Sequence, residues 1–356
     1  MMACSMRRVL IGVAAGTAAA AAAAAAPLAA QSAPATAPAP APAPPQISVG
    51  VLAYTQFVYQ LKDTANHANK FDVTRAYVNV IGKLAGGLTA RITADIFTNA
   101  DSSRAYRIKY AYAAYTPAHS PLTFKIGEIH TPWLDWEEAL WDYRMQGTMA
   151  LERNGFVSSA DFGAGVDGKW GADKVNMQVA LVNGENYNKG TGDQRKDVMG
   201  RVSVRLLDTD DSSRVGGLRV TAYGQYGKPT GGGARQRWLA MVSYKSARAT
   251  LAAEAAITRD SAAAAPERNG HVYSAFGVYR FPRTRAAALA RVDVFHPQAG
   301  NATDRQTRYI AGVSYQLTPN WRLLADWDYV SFQTDALNAA NDPTRSQALF
   351  QTQFTF

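Results

Sequence analysis

The chain has 356 residues, of which 37 are lysine or arginine and 28 aspartate or glutamate, a net charge of +9. That basic excess includes no cluster of cations interleaved with aromatics, which argues against a nucleic-acid surface. The single cysteine, Cys4, precedes the first apolar run and leaves no disulfide framework open to the rest of the chain.

Residues 1–30 read as a secretory signal peptide. Arg7 and Arg8 form a positive head, Val9 to Ala26 an alanine-dominated apolar run, and small residues up to Ala33 offer cleavage between Ala26 and Ala33. A run of about 18 residues could just cross a bilayer, but alanine is weakly apolar, so cleavage is the expectation. Cys4 leaves with the signal, and removing Arg7 and Arg8 reduces 37 basic residues to 35 against 28 acidic, a net charge of +7. Within residues 31–46, Ala37 to Pro45 alternate alanine and proline, which disfavours a packed core and favours extended polyproline. They are expected to form a periplasmic linker.

Beyond Gln46 no stretch is apolar enough for a membrane-spanning helix, so a membrane form requires a closed barrel whose strands satisfy one another's backbone. Period-two alternation supports this. Leu88, Ala90, Ile92, Ala94 and Ile96 alternate with Thr89, Arg91, Thr93, Asp95 and Phe97. The same pattern recurs in Val198, Val202 and Val204 against Met199, Arg201 and Ser203, and in Tyr309, Ala311, Val313 and Tyr315 against Arg308, Gly312, Ser314 and Gln316. Strands are predicted at 47–61, 70–84, 87–98, 105–116, 121–130, 157–170, 174–183, 197–207, 216–226, 235–245, 248–258, 270–281, 285–295, 306–317, 320–331 and 345–356. The fold class is therefore all-β: a transmembrane antiparallel β-barrel of about 16 strands over 47–356.

Connections after even strands are short and those after odd strands long and polar, the rhythm of tight periplasmic turns and external loops. The connection 207–215, rich in aspartate, is too long for its side and has no explanation in the sequence. Aromatics such as Tyr106, Trp170, Tyr226, Trp238 and Trp321 fall at strand ends, as in interfacial girdles. A soluble β-sandwich is the rival architecture, but it needs large apolar faces, whereas these faces are rich in Ala, Gly and Val. The chain ends in alternating phenylalanines, Phe350, Phe354 and Phe356, which look like the recognition strand of outer-membrane proteins; Phe356 is the expected contact with the outer-membrane assembly machinery.

The longest connection, 131–156, is expected to fold into the lumen as a constriction loop, since loops of that length in compact domains are usually functional. It carries Trp133, Trp136, Trp141, Tyr143, Arg144 and Arg153 among several acids; the alternative is a loop packed on the rim. Directing each strand's apolar set to lipid points Arg75, Arg91, Arg107, Lys109, Lys125, Arg201, Arg205, Arg219, Arg237 and Arg308 inward, in excess over the inward acids. Lysine or arginine facing lipid at mid-membrane costs roughly 2–4 kcal/mol, which strengthens the inward assignment. Strand direction puts Arg75, Arg107, Arg201, Arg237 and Arg308 near the external mouth and Arg91, Lys125, Arg205 and Arg219 near the periplasmic half. Fixed cations in a low-dielectric channel raise the local anion concentration. The competing reading is that each pairs with a carboxylate and only braces the barrel. Glu128 does not fit simple alternation, which aims it at lipid; a bulge or strand end near Gly127 would relieve this.

Several motifs occur in order: Arg75-Ala-Tyr-Val-Asn-Val-Ile-Gly-Lys83, Ile126-Gly-Glu-Ile-His-Thr-Pro132, Glu152-Arg153-Asn154, Val182-Asn183-Gly184 and Asp197-Val-Met-Gly-Arg201. Together they resemble the phosphate-selective porin O and P family over roughly residues 70–207. The resemblance implies a 16-stranded, usually trimeric, anion-conducting outer-membrane porin with a constriction loop, and suggests phosphate as an ion, although the family's phosphate-binding cations do not align here residue by residue. No enzymatic motif competes: His67, His119, His130, His271 and His296 lack metal-ligand spacing, and neither a nucleophile elbow nor a phosphate-cradling glycine loop occurs. No cofactor or metal is expected.

The expected function is passive diffusion of small hydrophilic solutes, with anions favoured, through a barrel bathed in outer-membrane lipids. Two alternatives remain: a general pore whose Trp133, Trp136 and Trp141 offer stacking surfaces to sugars, and a plugged barrel serving as adhesin or anchor.

Overall fold

The computed structural model describes residues 44–99, 101–187, 192–229, 232–262, 265–301 and 303–356. The expected signal peptide and most of the Ala/Pro linker lie outside the described residues. Sixteen strands follow in chain order: β1 Gln46–Gln60, β2 Asn69–Lys83, β3 Leu88–Thr98, β4 Arg104–Tyr115, β5 Leu122–His130, β6 Ala160–Trp170, β7 Val175–Val182 and β8 Asp197–Leu207. The second half comprises β9 Gly217–Gly227, β10 Arg235–Lys245, β11 Ala249–Ala262, β12 Ala265–Arg280, β13 Ala286–His296, β14 Gln306–Thr318, β15 Trp321–Phe332 and β16 Ser346–Thr355. Each pairs antiparallel with its sequence neighbours, and β1 pairs with β16, closing the barrel. Val51 and Phe356 exchange backbone hydrogen bonds across that closure.

The alternation seen in the sequence is the alternation of the walls. Along β8, Val198, Val202 and Val204 lie exposed on the outside while Asp197, Met199, Arg201 and Ser203 are buried inside; along β10, Trp238, Val242 and Tyr244 face out and Arg237, Leu239, Met241 and Ser243 face in. An outer face this apolar would be a large hydrophobic patch on a soluble protein, but closed strands leave no unpaired backbone edge and suit it to hydrocarbon. Among the described residues no helix is long and apolar enough to cross a membrane.

Register shifts correct the simple alternation in places. Between β3 and β4 the partners step from Thr93/Tyr110 to Ala94/Ile108. Lys109 is the extra residue, and it is buried beside Tyr110. The expected loop at 259–269 is also different: β11 and β12 run on to Ala262 and from Ala265 as a tall hairpin, with Arg259 paired to Glu267 across it. Ala- and Pro-rich residues there read as a turn by composition, whereas the ladder continues past them. Three α-helices, α1 Pro132–Leu140, α2 Ala150–Arg153 and α3 Asp335–Asn341, and a short 3-10 turn at Ala85–Gly87 complete the described structure.

Candidate functional site

The 131–156 segment starts its first helix on Pro132, whose missing N–H costs nothing at a first helical position. Trp133, Trp136 and Leu140 then recur at helical spacing and are fully buried. The inner wall opposite supplies the matching apolar surface, with Tyr223, Leu239, Met241, Ala252, Phe276 and Leu289. Trp133 packs 5.6 Å from Tyr223 and Trp141 5.1 Å from Phe276, ring centre to ring centre.

The segment continues around the inside. Tyr143 hydrogen-bonds Ser314 on β14 at 2.7 Å, the Gln146 amide donates to Asp328 on β15, and Gln351 on β16 donates to the Met145 carbonyl at 2.8 Å. Arg153 pairs with Asp293 on β13 at 3.2 Å, and Arg237 on β10 donates to the Phe156 carbonyl. The segment thus lines the inner faces of β8 to β16 and not the external rim. Its three tryptophans are enclosed, so they offer no stacking face to a sugar; they anchor the segment.

This placement sorts the candidate cations. Arg201 donates to the Pro132 carbonyl and to Asn176, with its guanidinium 4.1 Å above the Trp136 ring. Arg219 is fully enclosed, donating to the Gly216 and Asp173 carbonyls, and Arg237 clasps Asp260 through two contacts of 2.7 and 2.9 Å. Arg205 pairs with Asp208 at 3.0 Å, Arg308 holds Asp328 at 2.7 and 2.8 Å, and Lys125 pairs with Asp167.

On β2 to β4 the arrangement differs. Arg75 and Arg107 approach one carboxylate, Asp95, at 3.4 and 3.8 Å, and their side chains stay 22% and 24% exposed. Arg107 also donates to the Tyr187 hydroxyl at 2.9 Å. Arg91 donates to Asn79 and Thr93 and sits 3.0 Å from the His130 ring nitrogen; Lys109 donates to the Tyr77 hydroxyl at 3.0 Å. Neither forms an ion pair with a carboxylate among the described residues. Glu138 and Arg144 from the segment come near enough to Tyr77 and Lys109 to act on them electrostatically. On this wall Asp95 and Lys109 are enclosed, and Arg75 and Arg107 are the ion-paired cations that stay part-exposed.

Within the segment, Arg144 lies between Glu138 at 2.9 Å and Glu152 at 3.1 Å. Burial opposes its charge, but the two carboxylates hold the guanidinium well above its ordinary range. At Gly127 the backbone takes φ 124°, a region that favours glycine. Beyond it Glu128, Ile129 and His130 are buried in succession, so the alternation ends there and Glu128 is enclosed.

Sequence reasoning missed two contacts that hold α1. Arg214, in the long connection 207–216, reaches Asp135 through both its carboxylate and its carbonyl. Glu137 meets Glu254 of β11 side chain to side chain, both enclosed, with Arg291 and Asp293 close by. The overlong connection was a signal for the first; the second carries no local signal, because its partners are more than a hundred residues apart. Among the described residues no group of three or more His, Cys, Asp or Glu could hold a metal ion.

A family model described as Gram-negative porin matches residues 16–335. No curated relative matches. Among solved structures, an anion-selective porin from Comamonas acidovorans superposes with a TM-score of 0.65 at 12% identity, covering 88% of this chain and 100% of that one. The outer-membrane protein OmpT of Vibrio cholerae in its trimer form gives 0.60 at 12% identity, covering 88% and 99%. OmpF of Salmonella typhi in complex with daunomycin gives 0.62 at 14% identity, covering 87% and 97%. At these identities the likeness is one of fold.

Proposed function

Because the chain belongs to the Gram-negative porin family, we propose that it is an outer-membrane channel for passive diffusion of small hydrophilic solutes that favours anions. On this reading the pore is a gap between the β2–β4 wall, where Arg75 and Arg107 stay part-exposed, and the inward-folded 131–156 segment. One observation carries the anion preference: four cations on this wall, Arg75, Arg91, Arg107 and Lys109, have Asp95 as their one ion-paired carboxylate among the described residues. Glu138 and Glu152 across the gap are largely spent on Arg144. Fixed positive charge on a narrow, low-dielectric wall concentrates anions and repels cations.

Phosphate is the first anion to test, since the sequence resemblance to the O and P porins covers the strands that carry this wall. A homotrimer is the expected assembly, in line with the trimer form of the Vibrio cholerae protein of the same fold. Phe356, its side chain largely exposed at the barrel seam, is the expected handle for the assembly machinery. The passage lets solutes diffuse and needs no catalytic group.

Reversal potentials in planar bilayers under a potassium chloride gradient test the reading, followed by replacement of chloride with phosphate. Anion preference is expected, and cation preference contradicts it. Absence of conductance by folded protein would favour the plugged barrel, and a lower phosphate than chloride permeability would remove the phosphate assignment while leaving the anion channel.

A further inference from the structure

Turns at the short-connection end of the barrel need only reverse the chain, yet 207–216 is a built structure. The Thr209 hydroxyl donates to the Lys245 carbonyl at 2.6 Å and accepts from the Gly217 N–H at 3.1 Å. Asp210 accepts from the Ala247 N–H at 2.8 Å, tying this turn to the next, and Asp211 accepts from the Ser213 N–H. At Gly216 a Cβ would fall 2.0 Å from the Asp211 carbonyl oxygen, so only glycine permits the winding. Val215 is buried, and Arg214 points inward.

There Arg214 grips the first turn of α1 through the Asp135 carboxylate and carbonyl, and its guanidinium lies 5.8 Å from the Trp136 ring. Burial by itself would raise the Asp135 carboxyl, but the Arg214 guanidinium holds it well below the ordinary carboxylate range. The last turn of the same helix is held by Lys245, whose ammonium donates to the Ala139 carbonyl at 3.0 Å. Lys245 is also the residue whose carbonyl accepts from Thr209. A cation at the C-terminal carbonyls and an acid in the first turn both suit the helix dipole. One hydrogen-bonded unit therefore clamps both ends of the helix.

We propose that this connection is a clamp that sets the pore aperture from the periplasmic end, with Arg214 as its positioning residue. The proposal rests on the porin reading for its functional consequence and on the Arg214–Asp135 contact for its structure. Because the guanidinium is matched by Asp135, its role is to fix the segment's position, and it contributes little to ion preference.

Arg214→Ala and Asp135→Asn should each speed hydrogen exchange of the 133–140 amides by about tenfold, the scale of one lost charge-assisted hydrogen bond. In single-channel recordings both should raise open-channel noise and add sub-conductance steps, and the double variant, which removes both charges, should do so without moving the reversal potential. The double variant should match the single ones in exchange and noise, and Arg214→Lys should restore part of the quiet trace. Unchanged exchange in both variants overturns the clamp whether or not the protein conducts. Faster exchange with unchanged current noise would overturn its role in setting the aperture, and a shifted reversal potential in the double variant would make Arg214 a selectivity residue instead. Failure of the wild type to conduct would instead strike the porin reading, leaving the exchange result to decide the clamp.

Discussion

The inner wall of β8 to β13 and that of β2 to β4 carry the same sequence signature, arginine or lysine in the inward register, yet their surroundings differ. On the first wall the 131–156 segment lies over the cations: Arg201, Arg219, Arg237 and Arg291 are almost fully enclosed and hydrogen-bonded. On the second, Lys109 and Asp95 are enclosed as well, but Arg75 and Arg107 keep about a quarter of their side-chain surface while sharing one carboxylate. The difference teaches that an inward cation counts toward selectivity only where the channel reaches it. Facing the lumen and facing water are separate properties in a barrel that contains its own loop.

The largest expected effect lies on the covered wall. Trp136→Ala removes a fully buried side chain from between α1 and Arg201 and should cost about 3–5 kcal/mol of stability in equilibrium unfolding by urea. A loss under about 1 kcal/mol would mean the segment is not packed as described. The next effect lies on the open wall. Asp95→Asn removes the carboxylate shared by Arg75 and Arg107. One unit charge a few ångströms from a solvated ion is worth about 1 kcal/mol, so the chloride-to-potassium permeability ratio should rise roughly fivefold. An unchanged ratio would place this cluster outside the ion path.

The smallest effect concerns pH. Burial, helped by the nearby Asp293 and Glu138 carboxylates, pushes the Glu137 carboxyl up from its ordinary 4.5 against the opposing pull of Arg291 and the Glu254 contact. A raised acid binds its proton more tightly in the folded state, so its contribution to holding α1 is fully present below pH 4.5 and is lost as pH climbs through the raised value. Channel noise should therefore grow from acid toward alkaline pH, and Glu254→Gln should flatten that dependence. Noise that grows toward acid instead would contradict the shared-proton contact.

Strand positions were legible because closed barrels impose a period of two on every wall, and lipid and lumen demand opposite chemistry. All sixteen strands fall within a few residues of their predicted places. The route of the 131–156 segment was not legible, although its docking surface was written in the sequence: Leu239 and Met241 stand between the inward Arg237 and Ser243, Phe276 with Val272 and Val278 beside the inward Ser274, and Leu289 ahead of the inward Arg291 and Asp293. Apolar residues facing a wet lumen are anomalous unless something covers them. The ion pairing of the arginines was hidden for another reason. Partners such as Arg237 and Asp260, or Arg153 and Asp293, meet through register and loop path, which alternation alone does not fix. The excess length of 207–216 was visible, but its inward turn depends on contacts with a neighbouring turn and a distant helix.

The most direct measurement compares the two walls in one assay: reversal potentials in a salt gradient for the wild type, an Arg75→Gln/Arg107→Gln variant of the open wall and an Arg201→Gln/Arg219→Gln variant of the covered wall. Each preparation is first matched for folded barrel. Removing the two open-wall charges is expected to shift the potential toward cation permeability by several-fold in the permeability ratio, while removing the two covered charges leaves it near wild type. Equal shifts from both variants, or a shift from the covered wall alone, would contradict the assignment of selectivity to β2–β4.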